Sequence, residues 1–155
     1  MTTRRELLKQ STTVAAMLAS LGMYPHVAWA QSSTYNAAAF EAKNMGDLMK
    51  ALGGGTPQES KDVVITGSDI AENGAVVPVG ASTTLPGVKR MLILVEKNPS
   101  MMSAMFDVTD AIDANFATRV KMGQSSNVFA VAMMDDGKVL FASKEIKVTL
   151  GGCGG

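Results

Sequence analysis

Early in the chain apolar residues recur at helical spacing; later they come in short runs divided by turn residues. Across 35–52, Phe40, Met45, Leu48, Met49 and Leu52 fall at three- and four-residue intervals, which places them on one side of a helix. The spacing predicts an N-terminal helix over 35–52 whose apolar stripe packs on the rest of the domain. Gly53, Gly54 and Gly55, followed by Pro57, end it, since glycine leaves the helical region freely and proline cannot continue the ladder. From Lys61 onward, runs at 62–66, 75–79, 88–95, 116–122, 128–134, 139–142 and 145–150 predict strands. The breaks Glu72-Asn73-Gly74, Leu85-Pro86-Gly87, Asn98-Pro99 and Asp136-Gly137 are turn formers, each with a defined backbone preference. Asp135-Asp136-Gly137 between two apolar runs is a hairpin signal.

About seven strands, with turns every 8 to 12 residues or so and no helix between them, predict a mainly β fold. The architecture expected is an immunoglobulin-like antiparallel β-sandwich with one N-terminal helix and a flexible C-terminal tail. A Cys…Trp…Cys signature is absent, so the expectation rests on architecture alone. In the last run Glu145, Lys147 and Thr149 alternate with Ile146, Val148 and Leu150, one face wet and one buried. The residues that follow therefore leave directly from a sheet.

The start of the chain changes the chemistry available. Arg4, Arg5, Leu7, Leu8 and Lys9 precede an apolar stretch over 14–23 and then Ala28-Trp29-Ala30, the pattern of a charged n-region, an h-region and a small-residue cleavage site. Paired arginines point to the twin-arginine branch of export, which carries folded proteins to the periplasm, with cleavage expected between Ala30 and Gln31. Ser20 and Gly22 interrupt the h-region, leaving it well short of the about 20 apolar residues of a membrane span. The alternatives for this stretch are an N-terminal anchor or a core helix. The expected organisation is a signal peptide over 1–30, helix and Gly-rich link over 31–56, sandwich over 57–150, and a tail over 151–155.

Cleavage would remove His26 and Trp29, the only histidine and tryptophan. Fourteen basic residues less Arg4, Arg5 and Lys9 leave 11, and 14 acidic less Glu6 leave 13, a net charge of about −2. That excludes the basic footprint of a nucleic-acid binder. Without histidine, Cys–His catalysis and a typical zinc site are also excluded. One cysteine in an exported chain forms no internal disulfide; it pairs between molecules or stays a reactive thiol.

That cysteine, Cys153, sits between Gly151-Gly152 and Gly154-Gly155. Glycine without a Cβ gives the run large conformational freedom and little bulk, so it can enter a narrow cleft. Five extended residues reach about 17 Å. A tetraglycine setting is a poor place to fix catalytic geometry, so the tail suits a carrier better than an enzyme; the competing reading is a frayed terminus. Only a thiolate attacks, and its ordinary pKa is about 8.5. The nearest cation in sequence is Lys147, six residues back, and the carboxylate expected two residues ahead favours the neutral thiol. An isolated Cys153 is therefore expected to be a slow nucleophile whose activating charge comes from a partner.

Three other patterns invite sharper readings. Met101, Met102 and Met105 follow the Asn98-Pro99 turn and suit an adaptable interface, with core filling as the alternative. Gly53-Gly54-Gly55 lacks the Lys and Ser/Thr of a phosphate loop. Asp107, Asp110 and Asp113 lack the glycine and terminal glutamate of a calcium loop.

Several segments together resemble the SoxY family, sulfur carriers of periplasmic thiosulfate oxidation. They are the twin-arginine leader, Ile70-Ala71-Glu72-Asn73-Gly74-Ala75-Val76-Val77-Pro78-Val79, Leu94-Val95-Glu96-Lys97-Asn98-Pro99, Thr118-Arg119-Val120-Lys121-Met122-Gly123-Gln124, and Lys147-Val148-Thr149-Leu150 running into Gly-Gly-Cys-Gly-Gly. The segments around Met101-Met102-Ser103 and 107–115 depart from the family pattern. The resemblance implies that Cys153 is the covalent attachment point, with Gly151, Gly152, Gly154 and Gly155 as its flexible arm. It implies a non-catalytic subunit without metal or resident cofactor. The implied partners are a small β-sandwich subunit, SoxZ, in a heterodimer, and transiently the c-type cytochrome SoxAX, the hydrolase SoxB and the sulfur dehydrogenase SoxCD. Two readings from other classes stand beside it. One is a secreted thiol enzyme, which lacks a resolving cysteine or base here. The other is an exported structural sandwich that dimerises through a Cys153 disulfide.

Overall fold

The computed structural model describes residues 36–150. The expected signal peptide over 1–30 and the arm over 151–155 lie outside the described residues. The described residues open with two short helices, α1 (Ala37–Glu41) and α2 (Met45–Ala51), where the sequence spacing predicts one. The break has a local cause. Ala42 takes an extended backbone (ψ 132°), and Asn44 starts a new helix by accepting from the Asp47 amide at 2.8 Å. Asn36 caps α1 in the same way and donates its side-chain amide to Ala51 O at 2.7 Å, tying the two helices together. Gly53 then ends α2 with a positive φ of 78°. Gly54 is packed so closely that a Cβ there would stand 2.8 Å from Val139 Cγ2.

Nine strands follow among the described residues: β1 (Pro57–Glu59), β2 (Val63–Gly67), β3 (Ile70–Ala71), β4 (Val77–Thr83), β5 (Val88–Val95), β6 (Met102–Asp107), β7 (Asn115–Val120), β8 (Ser126–Met134) and β9 (Val139–Val148). They form an immunoglobulin-like β-sandwich. The larger sheet runs β1-β9-β8-β5-β6 with β3 added beside β9, and the smaller runs β2-β4-β7. The order is antiparallel except where β1 and β3 pair with β9 in parallel. The two runs expected over 139–142 and 145–150 are a single strand, because Ser143 and Lys144 stay in register with Phe129 and Val128 of β8.

β6 carries no separate strand expectation, although Met102–Asp107 alternates buried and accessible positions along its length. Met101 and Met102 are buried with the helices, which corrects the interface reading for these two; Met105 is exposed. Asp107 pairs with Arg90 at 2.7 Å across β5 and β6.

The larger sheet is covered on both faces, which explains its near-continuous apolar strands. In β5, Met91, Ile93 and Val95 face the smaller sheet, and Leu92 and Leu94 face the helices. In β8 the same division sets Val128, Ala130 and Ala132 against Val131 and Met133. Phe106 of β6 stacks on Phe116 of β7, ring centroids 4.4 Å apart, closing one side of the sandwich. The helices therefore cover the outer face of the larger sheet.

Candidate functional site

β9 ends at Val148, and the two residues after it are still held. Lys147 N donates to Asp69 O (2.9 Å) and Thr149 N to Ala71 O (3.1 Å), continuing the parallel pairing with β3. Thr149 Oγ1 donates to Glu72 O (3.0 Å), and the Val148 amide donates to Ser125 Oγ (2.9 Å). Gly74 N then donates to Leu150 O at 2.7 Å, while Gly74 O accepts from Met122 N at 2.7 Å. Each bond satisfies a backbone group at a strand end that would otherwise face water or lie unpaired. The backbone is thus clasped up to the carbonyl of Leu150, and Cys153 stands three residues further along the sequence.

The clasp continues into neighbouring segments. Asn98 Nδ2 donates to Lys121 O (2.7 Å), Lys97 N to Ser126 Oγ (3.1 Å), and Glu96 N to Asn127 O (3.1 Å). Ser126 is buried and sits opposite Ile146 in the β8–β9 register. The segments over 70–79, 94–99, 118–124 and 147–150, distant in sequence, are brought together at this end of the sandwich. Cys153, Gly151, Gly152, Gly154 and Gly155 lie outside the described residues. Sequence reasoning placed Thr149 only on the wet face of the last run, without its bond to Glu72 O, and missed Ser125 and Ser126. The available signal was the type: small hydroxyl side chains beside a strand end readily bond neighbouring backbone.

One ion pair reinforces the root. Lys144 Nζ lies 2.8 Å from Asp69 Oδ1 and donates to Gly67 O at 2.6 Å, stitching β9 to the segment between β2 and β3. The hydrogen bond from Lys144, then its charge, holds the Asp69 carboxyl below the usual carboxylate range. A carboxyl whose folded pKa is lowered adds stability above its unfolded pKa and loses it as pH falls through the folded one. Asp69 is solvent-exposed, so the contribution is small and screened by salt. In an NMR titration its midpoint is expected below that of an unperturbed aspartate, and Lys144→Met should return it towards the ordinary value. An unchanged midpoint in that variant would remove the pair from this picture.

The described residues contain no group of three or more His, Cys, Asp or Glu able to hold a metal ion. Among them no helix is long and apolar enough to cross a membrane. A cleft of about 980 Å³ lies at the opposite end of the sandwich, bordered by Asp62, Asp110, Asp113 and Asp135.

Residues 48–153 match the family model of the sulfur oxidation protein SoxY. Among solved structures, the sulfur carrier protein SoxY from Chlorobium limicola f thiosulfatophilum is 37% identical with a TM-score of 0.55, covering 61% of this chain and 84% of that one. A superoxide reductase (neelaredoxin) from Ignicoccus hospitalis shares the fold at 16% identity and a TM-score of 0.50, over 56% of this chain and 78% of that one. A protein described as a putative superoxide reductase from Thermotoga maritima does so at 11% identity and 0.50, over 59% and 92%. No curated protein matches the chain. The family match extends from α2 through the sandwich to Cys153 itself, and the chain belongs to the SoxY family of sulfur oxidation proteins.

Proposed function

We propose that this chain is a covalent sulfur carrier of thiosulfate oxidation, with Cys153 at the end of a swinging arm. The observation that carries the reading is the fixed root: hydrogen bonds hold the chain to Leu150 O, and the cysteine follows three residues later between glycine pairs. A firm base under a glycine arm delivers cargo into another protein's active site while the domain stays outside.

The chemistry balances without a resident cofactor. Cys153 thiol and thiosulfate join in an S–S bond, releasing one proton to solvent and two electrons, which the c-type cytochrome partner SoxAX would take up in one-electron steps. The product is a cysteine S-thiosulfonate. Water then cleaves the terminal S–SO3 bond on the hydrolase SoxB, leaving a persulfide on Cys153 and releasing sulfate. Oxidation of the remaining sulfane sulfur belongs to SoxCD where that enzyme is present, and a further hydrolysis frees the thiol. The carrier catalyses none of these steps. It acts in the periplasm, exported folded through the twin-arginine route, as a heterodimer with a SoxZ-like subunit.

Reach is the property to test. Deleting Gly151 and Gly152 shortens the arm by about 7 Å. Turnover with the partner enzymes is expected to fall by at least about tenfold, equivalent to about 1.4 kcal/mol. Alkylation of Cys153 by iodoacetamide should be unchanged. Full turnover with the shortened arm would contradict delivery into a deep site.

A further inference from the structure

Asn73-Gly74 is the single Asn-Gly pair of the chain. Glycine has no Cβ, so the amide that follows such an asparagine meets little hindrance in approaching the side-chain carbonyl. That attack closes a five-membered imide ring and alters the backbone. The pair stands in the loop between β3 and β4, with Asn73 exposed and Gly74 buried.

The loop holds the two reacting groups in opposite states. The electrophile is prepared: Ala75 N donates to Asn73 Oδ1 at 2.9 Å, an Asx turn that ties the carboxamide down beside its own backbone. The same N–H polarises the carbonyl and faces the oxygen on which negative charge grows during attack. The nucleophile is withheld. Gly74 N donates to Leu150 O at 2.7 Å, and Gly74 O accepts from Met122 N at 2.7 Å, so the residue is pinned on both sides. An amide nitrogen whose proton is engaged and whose peptide plane is fixed neither sheds that proton nor swings onto Cγ. Two further bonds guard it, from Thr149 Oγ1 to Glu72 O (3.0 Å) and from Thr149 N to Ala71 O (3.1 Å). Strand ends open locally at lower free energy than the whole fold. Lifting residues 149–150 off the 71–74 loop removes the lock and leaves the prepared carboxamide in place.

We propose that Asn73 is a self-modification site gated by Leu150: when the segment after β9 lifts, Gly74 N attacks Asn73 Cγ, and the isoaspartate that follows keeps the segment released. The Gly74 N–Cγ bond forms, the Cγ–Nδ2 bond breaks, and Nδ2 leaves as ammonia with the Gly74 proton. Water then opens the imide. Opening at Cγ gives aspartate in a normal chain; opening at the main-chain carbonyl gives isoaspartate, whose chain runs through Cβ and Cγ. No oxidant, reductant or cofactor takes part. Isoaspartate adds a methylene to the main chain before Gly74 and a carboxylate beside Glu72, so Gly74 no longer meets Leu150 O and Met122 N together. The inference stands on the clasp alone and does not depend on the carrier reading.

The folded full chain is aged at mildly alkaline pH, and the tryptic peptide 62–89, in which Asn73 is the sole asparagine, is followed by mass for conversion of amide to acid. Isoaspartate is assayed with a methyltransferase specific for it. The folded parent is expected to convert at least about tenfold slower than the parent unfolded in urea. Thr149→Val, which deletes the bond to Glu72 O, should convert about fivefold faster than the folded parent, the opening that one net hydrogen bond controls. Hydrogen exchange at the Gly74 amide should accelerate with it. Leu48→Ala loosens the cluster beneath the helices and should leave the Asn73 rate within about twofold of the parent. Asn73→Asp carries the new charge without the methylene and should keep the Gly74 amide protected, whereas the isoaspartate form, separated by anion exchange, should lose that protection. A folded rate equal to the unfolded one overturns the lock, and Thr149→Val at the parent rate overturns the gating. Equal acceleration by Leu48→Ala also overturns it, by making conversion a report of global unfolding. An isoaspartate form that still protects Gly74 overturns the lasting release.

Discussion

Replacing Cys153 with serine is expected to reduce thiosulfate-dependent turnover in a reconstituted system to the level seen without carrier. A serine hydroxyl cannot form the S–S bond that holds the cargo, and no second cysteine exists to take its place. The fold should not register the change. The last backbone hydrogen bond of the described chain is at Leu150 O, and both hydrophobic clusters are built from residues before the tail. The variant should keep the parent circular dichroism spectrum, melting temperature and association with its partner subunit. Retained turnover would contradict the carrier role. An altered melting temperature would show that the tail packs on the domain.

The second large effect is on stability, and it sits beneath the arm. Ile146 is fully buried in the core between the sheets, and its Cδ1 would stand 3.2 Å from a Cβ placed on Gly67. Ile146→Ala leaves a cavity in a two-sided core that cannot collapse freely, at an expected cost of about 2 to 5 kcal/mol. Against a total stability of about 5 to 15 kcal/mol this is a large fraction, and the melting temperature should fall by roughly 10 °C or more. Because β9 carries both Ile146 and the arm's root, the amides of Thr149 and Gly74 should exchange with solvent faster than in the parent. Substituting exposed Lys147 by alanine should change neither quantity appreciably. A melting temperature for Ile146→Ala within a degree or two of the parent would contradict the placement of Ile146 in the core.

Much of the sandwich was legible because strand periodicity and turn chemistry agree. The run over 88–95 coincides with β5, and 128–134 falls inside β8, each an apolar stretch bounded by turn formers. What the pattern hid has physical causes. Ser143-Lys144 reads as a break, yet neither residue prevents pairing, so β9 runs on through both. β6 was obscured because its methionines read equally well as interface or core; Met102 is packed against the helices. β1 and β3 are three and two residues long and pair in parallel with a distant strand, so local sequence carries little trace of them. Asn44 inside a helical pattern was the missed sign of a second helix start.

The candidate site was legible in a different way. Cys153 and its glycines stand out from composition and position. The clasp around Leu150 is built from backbone amides and carbonyls with Ser125 and Thr149, and nothing in residue type alone announces that Gly74 and Met122 meet there. Family-like segments scattered over the chain acquire a common physical role once folded: they hold the root.

Intact and peptide mass spectrometry of the protein taken from its native periplasm without reductant tests the central claim most directly. The account predicts thiosulfonate or added sulfane sulfur confined to the C-terminal peptide containing Cys153 and removed by reduction. An unmodified thiol, or only a symmetric Cys153 disulfide that collapses on reduction, from cells actively oxidising thiosulfate would contradict it and favour the structural dimer.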